Sequence, residues 1–498
     1  MWLSDSPECW ARRVAAAAAF AVMLIPSAGA QEWTGLDAAV ALEKRLVDAI
    51  ARAENSVVAI ARYRNDLPPL PTGPLGMSLP RPRPDDEPAP NEFATGVVID
   101  RQGYILTNYH VLGDPAKNAY KVWVKRRPFD AISVTAAVEV KAGDPWTDLA
   151  VLKIDADDLE PIVFGDAKKL RKGQIVIALG NPYNIAHDGD VSAGWGIISN
   201  LGRRVPERAG GFRPADASET LYQYGGLIQT DARLNLGTSG GALVNLSGEM
   251  IGLITALAAK EGYERSMGFA IPVDEVFLRT VETLKKGRKA EFGFLGISPA
   301  ELSDAMRRNG QHGALVSSVV PGTPAAAARL REGDIITRIN GRPIYDRDML
   351  MRALGGQPAE ATIRLTVQRG AQLGRPGRVL ETSVKLSKKY ISSSRPAFSQ
   401  TEEPRWRGMR VDYPTALPPN LLTRALQAGA PTGALAAVEV AADSPAWKAG
   451  IRPGYLFTRV DGRRVTTPQQ FYDAVANKNG DVTLRCISGT RAVITVSP

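Results

Sequence analysis

A chain of 498 residues has room for two to four domains, each large enough to bury its own core. Its hydrophobic content of 44% and charged content of 23% are those of an ordinary globular protein and exclude a disordered or fibrous chain. The formal charge of +9 comes without a dense Lys/Arg stripe or a nucleic-acid motif. Nucleic acid is therefore excluded as a partner, while peripheral contact with an anionic membrane surface stays open.

The first signal along the chain is export. Arg12 and Arg13 precede an apolar run over 14–25, and Pro26-Ser27-Ala28-Gly29-Ala30 follows. A basic start, a short apolar core and a small-x-small end make the layout of a secretory signal peptide over residues 1–30. The run is short for a transmembrane helix, although retention as an anchor stays open. The twin arginine is a weak sign of the twin-arginine export route. Cys9 would leave with this peptide, so the mature chain keeps one thiol, Cys486, and no internal disulfide. No Cys/His cluster has zinc spacing and no phosphate-binding loop is present, so neither a metal nor another cofactor is expected.

Residues 31–55 predict a helical segment. Thr34-Gly35-Leu36-Asp37 reads as a capping box, and Leu36, Ala39, Val40, Leu46, Val47 and Ile50 recur at helical spacing, broken by Glu43. Ser56–Ile60 predicts a strand. Residues 68–90 hold nine of the chain's 35 prolines, cannot pair in a sheet, and read as an exposed loop. From Phe93 the pattern is all-β. A hairpin joins 95–100 to 104–108, and strands follow at 120–125, 131–140, 149–154 and 174–179, with a closing helix over 273–286. Short strands with little helix between them favour a barrel or sandwich over a βαβ fold.

The C-terminal part repeats. Gly313-Ala314-Leu315 recurs as Gly433-Ala434-Leu435 at an offset of 120, and Pro324-Ala325, Arg331, Gly333 and Gly341-Arg342 recur at 121. Two related small modules, 289–389 and 405–498, are predicted, joined by the polar stretch 390–404.

The chemistry centres on Gly237-Thr238-Ser239-Gly240-Gly241, ahead of the apolar run Ala242-Leu243-Val244. Flanking glycines let a serine present its hydroxyl beside backbone amides, although a plain glycine turn between strands fits the same residues. A nucleophilic serine needs a base, and the chain has three histidines: His110, His187 and His312. His110 ends a hairpin strand. Asp148 heads the apolar strand 149–154 and suits the orienting carboxylate; Asp144, before a proline, reads as a turn residue, and Asp231 as a brace for the serine loop. The nucleophile elbow of α/β-hydrolases is disfavoured, because a strand follows Ser239 and the only later histidine, His312, lies outside this domain.

Thr107-Asn108-Tyr109-His110-Val111, the Asp148 segment and the stretch 228–253 resemble the HtrA/Deg trypsin-like serine proteases. The likeness runs from about Val57 to the C-terminus. It implies a mainly β fold: a chymotrypsin-like double β-barrel over 56–288, followed by two small α+β PDZ domains. It further implies His110 as base, Asp148 as orienter and Ser239 as nucleophile, with the amides of Gly237, Thr238 and Ser239 lining an oxyanion hole. Thr238 departs from the Asn common there, which leaves the backbone role intact. Residues 250–255 would wall the specificity pocket and favour small or medium aliphatic side chains before the cut. In the first PDZ module, Phe294, Leu295, Gly296 and Ile297 resemble a carboxylate-binding loop for peptides with apolar C-termini. The matching Trp406-Arg407-Gly408-Met409-Arg410 is poorer in apolar residues. The family also implies unfolded or misfolded protein substrates, a periplasmic place in envelope quality control, and a homotrimer or higher homo-oligomer with contacts near Trp33. A non-proteolytic chaperone or scaffold on the same fold is the alternative reading.

Overall fold

The computed structural model describes residues 35–64, 92–124, 138–181, 191–204, 219–235, 237–255, 267–393, 395–427, 429, 431, 433–487 and 492–498. The signal peptide, Trp33, Thr34 of the capping box, the proline-rich stretch, His187 and the start of the 131–140 strand lie outside them.

Helix α1 (Gly35–Ala53) forms as its periodicity predicts. Its apolar stripe is only partly covered: Leu36, Val40 and Val47 are exposed, Leu46 and Ile50 half-buried, and Ala49 and Ala53 buried.

Short apolar runs broken by turn residues then give two β-rich halves. The first holds β1 (Val57–Arg64), β2 (Glu92–Val98), β3 (Tyr104–Asn108), β4 (Asn118–Val124), β5 (Val138–Asp144) and β6 (Leu149–Ile154). They form an antiparallel sheet in the order β5-β6-β3-β2-β1-β4. Val58, Ile60, Ile105, Leu152 and Ile154 fill its core. The second half, β7 (Ile175–Gly180), β8 (Ser192–Arg203), β9 (Leu227–Thr230), β10 (Ala242–Val244), β11 (Met250–Thr255) and β12 (Gly268–Pro272), closes into a barrel in the order β10-β11-β12-β9-β8-β7. Val176, Ile228, Leu243, Ile251 and Ile254 lie inside. Helix α2 (Glu275–Lys285) follows, its N-terminus capped by the Asp274 carboxylate on Phe277 N–H.

The repeat folds as two similar modules. The first contains β13 (Gly293–Phe294), β14 (Ile297–Ala300), β15 (Ala314–Val319), β16 (Ile335–Ile339), β17 (Arg342–Pro343), helix α3 (Arg347–Gly355), β18 (Thr362–Arg369), β19 (Arg378–Lys385) and β20 (Ser387–Lys388). After a short β21 (Phe398–Ser399), the second contains β22 (Met409–Asp412), β23 (Leu435–Val440), β24 (Leu456–Val460), β25 (Arg463–Arg464), helix α4 (Pro468–Val475), β26 (Val482–Cys486) and β27 (Val493–Val496). Their main sheets run β14-β15-β16-β18-β19 and β22-β23-β24-β26-β27, one plan used twice. Asp346 and Thr467 cap α3 and α4 at the same offset of 121. Cys486 lies in the second core, where burial pushes its thiol up to about 11.

The stretch 390–404 is not a free linker. β21 pairs with β5 and becomes the outer strand of the first protease sheet, giving that sheet seven strands.

Candidate active site

Each candidate residue sits at a junction between a strand and a turn. After β3 the chain enters a single helical turn, Tyr109–Leu112, whose second residue is His110. Asp148 stands immediately before β6 with φ +54°, a left-handed backbone that a non-glycine residue keeps only when its surroundings hold it. Here they do: its carbonyl accepts from Tyr109 N–H at 3.0 Å and from Asn108 Nδ2 at 3.3 Å.

The Asp148 side chain is 3% exposed and its carboxylate is fully engaged. His110 Nδ1 lies 3.0 Å from Oδ1 and 2.9 Å from Oδ2. Oδ1 also accepts from His110 N–H at 3.0 Å, and Oδ2 from Thr255 Oγ1 at 3.2 Å. With Nδ1–H donated to a carboxylate, a neutral imidazole carries its free lone pair on Nε2.

Ser239 lies on the turn into β10, between Gly237 at φ +95° and Gly240 at +85°. A Cβ on Gly240 would stand 2.0 Å from Thr95 O and 2.3 Å from Thr107 Oγ1, so no other residue fits. Thr95 of β2 stitches this turn to the first sheet. Its N–H donates to Ser239 O at 2.9 Å, its hydroxyl donates to Gly237 O at 2.7 Å, and that hydroxyl accepts from Asn181 N–H at 2.9 Å. A second link runs through β11: Gly240 N–H donates to Ile254 O at 2.9 Å, and the next residue, Thr255, bonds Asp148. The serine turn and the His110–Asp148 pair are thus fastened to one seam between sheet and barrel.

Two expectations change. Thr238 N–H donates to Asn235 O at 3.2 Å and its hydroxyl to the same oxygen at 2.7 Å, so the Thr238 amide is spent within the turn and does not line an oxyanion site. The amides of Gly237 and Ser239 have no partner among the described residues and are the pair left to do so. Asp231 does not brace this turn either; its Oδ1 accepts from Ile197 N–H on β8 at 2.7 Å. Asp144 holds the turn as expected, accepting from Thr147 N–H at 2.9 Å and Thr147 Oγ1 at 2.5 Å. It is wholly buried, and burial pushes its carboxyl up to about 6, against those hydrogen bonds. His312 packs on Tyr345 in the first C-terminal module, ring centroids 5.3 Å apart. Thr95 and Thr255 escaped the sequence reading: each is one threonine in a strand, and nothing in a single sequence sets it apart.

The loop 293–297 has the geometry of an anion cradle. Leu295 O accepts from Ala325 N–H at 2.8 Å and Gly296 O from Val320 N–H at 2.9 Å. In a trans peptide C=O and the following N–H point opposite ways, so the amides of Gly296 and Ile297 face outward together. Gly296 has φ +92°, and a Cβ there would lie 2.1 Å from Thr323 Oγ1. Leu295 is buried beneath the loop, with Phe294 and Ile297 half-buried beside it.

A trypsin-like peptidase domain matches residues 94–253, and PDZ domains match 293–386 and 437–487. A probable periplasmic serine endoprotease, DegP-like, of Chlamydia trachomatis is 30% identical over 398 residues, covering 79% of this chain and 72% of that protein. The chain belongs to the DegP-like periplasmic serine endoproteases. The periplasmic serine endoprotease DegP of Escherichia coli is 36% identical over 283 residues, 56% of this chain and 54% of its own. The solved HtrA-type protease AlgW with tripeptide shares 25% identity at a TM-score of 0.51, over 69% of this chain and 97% of its own. As a DegP-like protease the chain is a serine endopeptidase acting on protein substrates, and its relatives' names support a periplasmic or envelope location.

Proposed function

We propose that this endopeptidase is exported by its signal peptide and degrades misfolded or unfolded proteins of the cell envelope without ATP, with Ser239 as nucleophile, His110 as base and Asp148 as orienter. The observation that carries the reading is the clamped imidazole, whose Nδ1 faces both oxygens of a buried carboxylate at 2.9–3.0 Å. Its Nε2 takes the Ser239 proton as Oγ attacks the scissile carbonyl carbon, and Asp148 stabilises the imidazolium that forms. The Gly237 and Ser239 amides receive the oxyanion. His110 then protonates the leaving amine, and water, deprotonated by the same nitrogen, hydrolyses the acyl-enzyme.

Strand β11 walls the pocket for the residue before the cut, so small or medium aliphatic side chains are preferred there. The 293–297 loop takes peptides with apolar C-termini and tunes the protease. Protomers assemble as a homotrimer or larger assembly, with contacts near Trp33.

The test is cleavage of unfolded casein by the mature protein beside Ser239→Ala, with and without a peptide ending in an apolar residue. Cleavage should fall by roughly 10⁴-fold or more in the variant, and the peptide should stimulate the parent. No cleavage by either protein would favour the chaperone or scaffold reading. Equal cleavage by both would remove Ser239 from its role.

A further inference from the structure

Each member of the His110–Asp148 pair has a near neighbour, Tyr109 or Trp146, that is bonded to a residue outside the peptidase-matching segment. On the His110 side the grip passes through its neighbour Tyr109. The Tyr109 hydroxyl, kept protonated because burial pushes it up to about 12, donates to Arg395 O at 2.6 Å and Pro396 O at 3.0 Å. The Arg395 guanidinium lies 5.8 Å from the centre of the Tyr109 ring. From there the chain enters β21, where Phe398 sits opposite Gly143 and Ser399 opposite Ala142, and Gln400 N–H extends the ladder to Lys141 O at 3.1 Å. Thr401 N–H then ties to Gly287 O at 2.9 Å. β5 is the strand that ends at Asp144 and runs through one turn to Asp148.

On the Asp148 side the grip is Trp146, two residues before the carboxylate and 1% exposed. Its indole N–H donates to Gly355 O at the end of α3 at 2.8 Å, and its ring packs against Phe292 and Tyr224, each with its centroid 6.4 Å away. Lys389 Nζ stands 4.6 Å over the same ring. Trp146 O accepts from Leu221 N–H at 2.8 Å, so the turn is held at backbone and side chain alike.

We infer that Tyr109 and Trp146 are positioning residues, and that the segment 395–401 with the end of α3 forms a strap holding the His110–Asp148 pair in register. The left-handed backbone of Asp148 is held by Tyr109 N–H, and the strap in turn holds Tyr109 by its hydroxyl. Hydrolysis in the peptidase half therefore depends on where the first PDZ module and the segment after it lie. The inference rests on the triad reading above.

The test uses the full mature chain and a short chromogenic peptide. Tyr109→Phe deletes one hydroxyl, Trp146→Phe deletes one N–H while keeping an aromatic ring, and Gln400→Pro deletes the ladder donor. Gln400→Ala keeps that donor, loses only the exposed side-chain bond to Glu139 that proline would also lose, and is the control. A displacement of the pair by a fraction of an ångström should lower kcat by roughly 10- to 100-fold with KM nearly unchanged. It should also move the acid limb of the kcat/KM profile against pH. Gln400→Ala should lose at least roughly ten-fold less kcat than Gln400→Pro, and equal losses in the two would overturn the backbone ladder as the strap's hold. Parental kcat and pH profile in folded Tyr109→Phe and Gln400→Pro would overturn the strap. Should Gln400→Pro not fold, Tyr109→Phe decides alone. Ser239→Ala runs beside them: if it stays active the triad reading falls, whereas if it is dead and the strap variants are unaffected, only the strap falls.

Discussion

The two PDZ modules share sheet order, helix caps and a glycine at the head of the loop, yet they differ in which backbone amides remain unspent. In the first, the carbonyls of Leu295 and Gly296 turn inward and leave the Gly296 and Ile297 amides facing out. In the second, Arg407 and Gly408 turn inward onto Ala446 and Ala441 in the same way, but Met409 N–H closes onto Trp406 O at 2.9 Å. Next along β22, Val411 N–H donates to the Tyr472 hydroxyl of α4 at 2.9 Å, and that hydroxyl donates to Pro404 O at 2.6 Å. In the first module the matching strand position is Pro299, which has no N–H, and the matching helix position is Met351, which has no hydroxyl. Arg407, at φ +49°, replaces the buried Leu295 and reaches the carbonyls of Val496, Lys478 and Gly480. A shared fold therefore says little about ligand capture: a peptide needs donors, and the second module has spent Met409 N–H, the counterpart of the outward Ile297 amide.

Their anchorage differs too. The first module is seated on aromatic and apolar contacts around Trp146, Leu221 and Phe292. The second is joined through charges: Lys388 and Arg410 meet Asp412, Glu403 and Glu439 in a half-buried network.

Arg410→Met should act most strongly. It leaves three carboxylates short of a cation and should lower the stability of the second module by roughly 3 kcal/mol, with peptide binding to the first unaltered; differential scanning calorimetry and peptide titration check both. Gly296→Val comes next. On a Ser239→Ala background it should weaken an apolar-ended peptide by about 100-fold (~2.7 kcal/mol) in a calorimetric titration, whereas Gly408→Val should not change that affinity. Equal losses would break the comparison.

Acid should act in opposite directions on the second module's charged seam and on the Asp144 turn of the protease sheet. Burial works against the charge of Glu403 and Glu439, but Lys289 and Arg410 for the first, and Arg410 and Arg405 for the second, outweigh it and hold both below the ordinary glutamate value. Their contribution is present above that value and lost as pH falls through and below it. Asp144, raised to about 6, has the other sign: its contribution is full below the ordinary aspartate value and lost as pH rises through about 6. Asp144→Asn should therefore remove a decline in protease stability of the order of 2–3 kcal/mol between about pH 4 and 6, seen in thermal melts. The smallest effect belongs to Tyr472→Phe, which frees Val411 N–H at a cost of about 1 kcal/mol and should speed exchange of that amide with solvent.

The residues of the proposed His110–Asp148–Ser239 set could be singled out because each lies in a short segment with its own signature, and β6 at 149–154 matched its predicted span. What joins them was not. Thr95 and Thr255 act through hydrogen bonds between strands whose partners lie far along the chain, and a threonine in a strand is ordinary. The spent amide of Thr238 depends on the curl of one turn. β21 is two residues long, too short to show alternation, and its partner lies in a strand more than 250 positions away. Arg407 and Tyr472 show the same limit: a loop poor in apolar residues was visible, but a hydroxyl seated on a strand amide was not. The stripe on α1 errs the other way, since a helical period fixes which face is apolar and not what covers it.

Beyond residue 30 the chain holds one sulfhydryl, Cys486, sealed in a core with its thiol pushed up to about 11. Burial and the raised thiol both slow its attack on alkylating dyes, so in a chain cut after residue 30 the background labelling is low. The molecule is thus a ready blank for site-directed labelling. One dye-bearing cysteine at Ser399 would report directly on whether the strap lifts from β5 when a peptide enters the first module, with no need to rebuild the protein on a cysteine-free background.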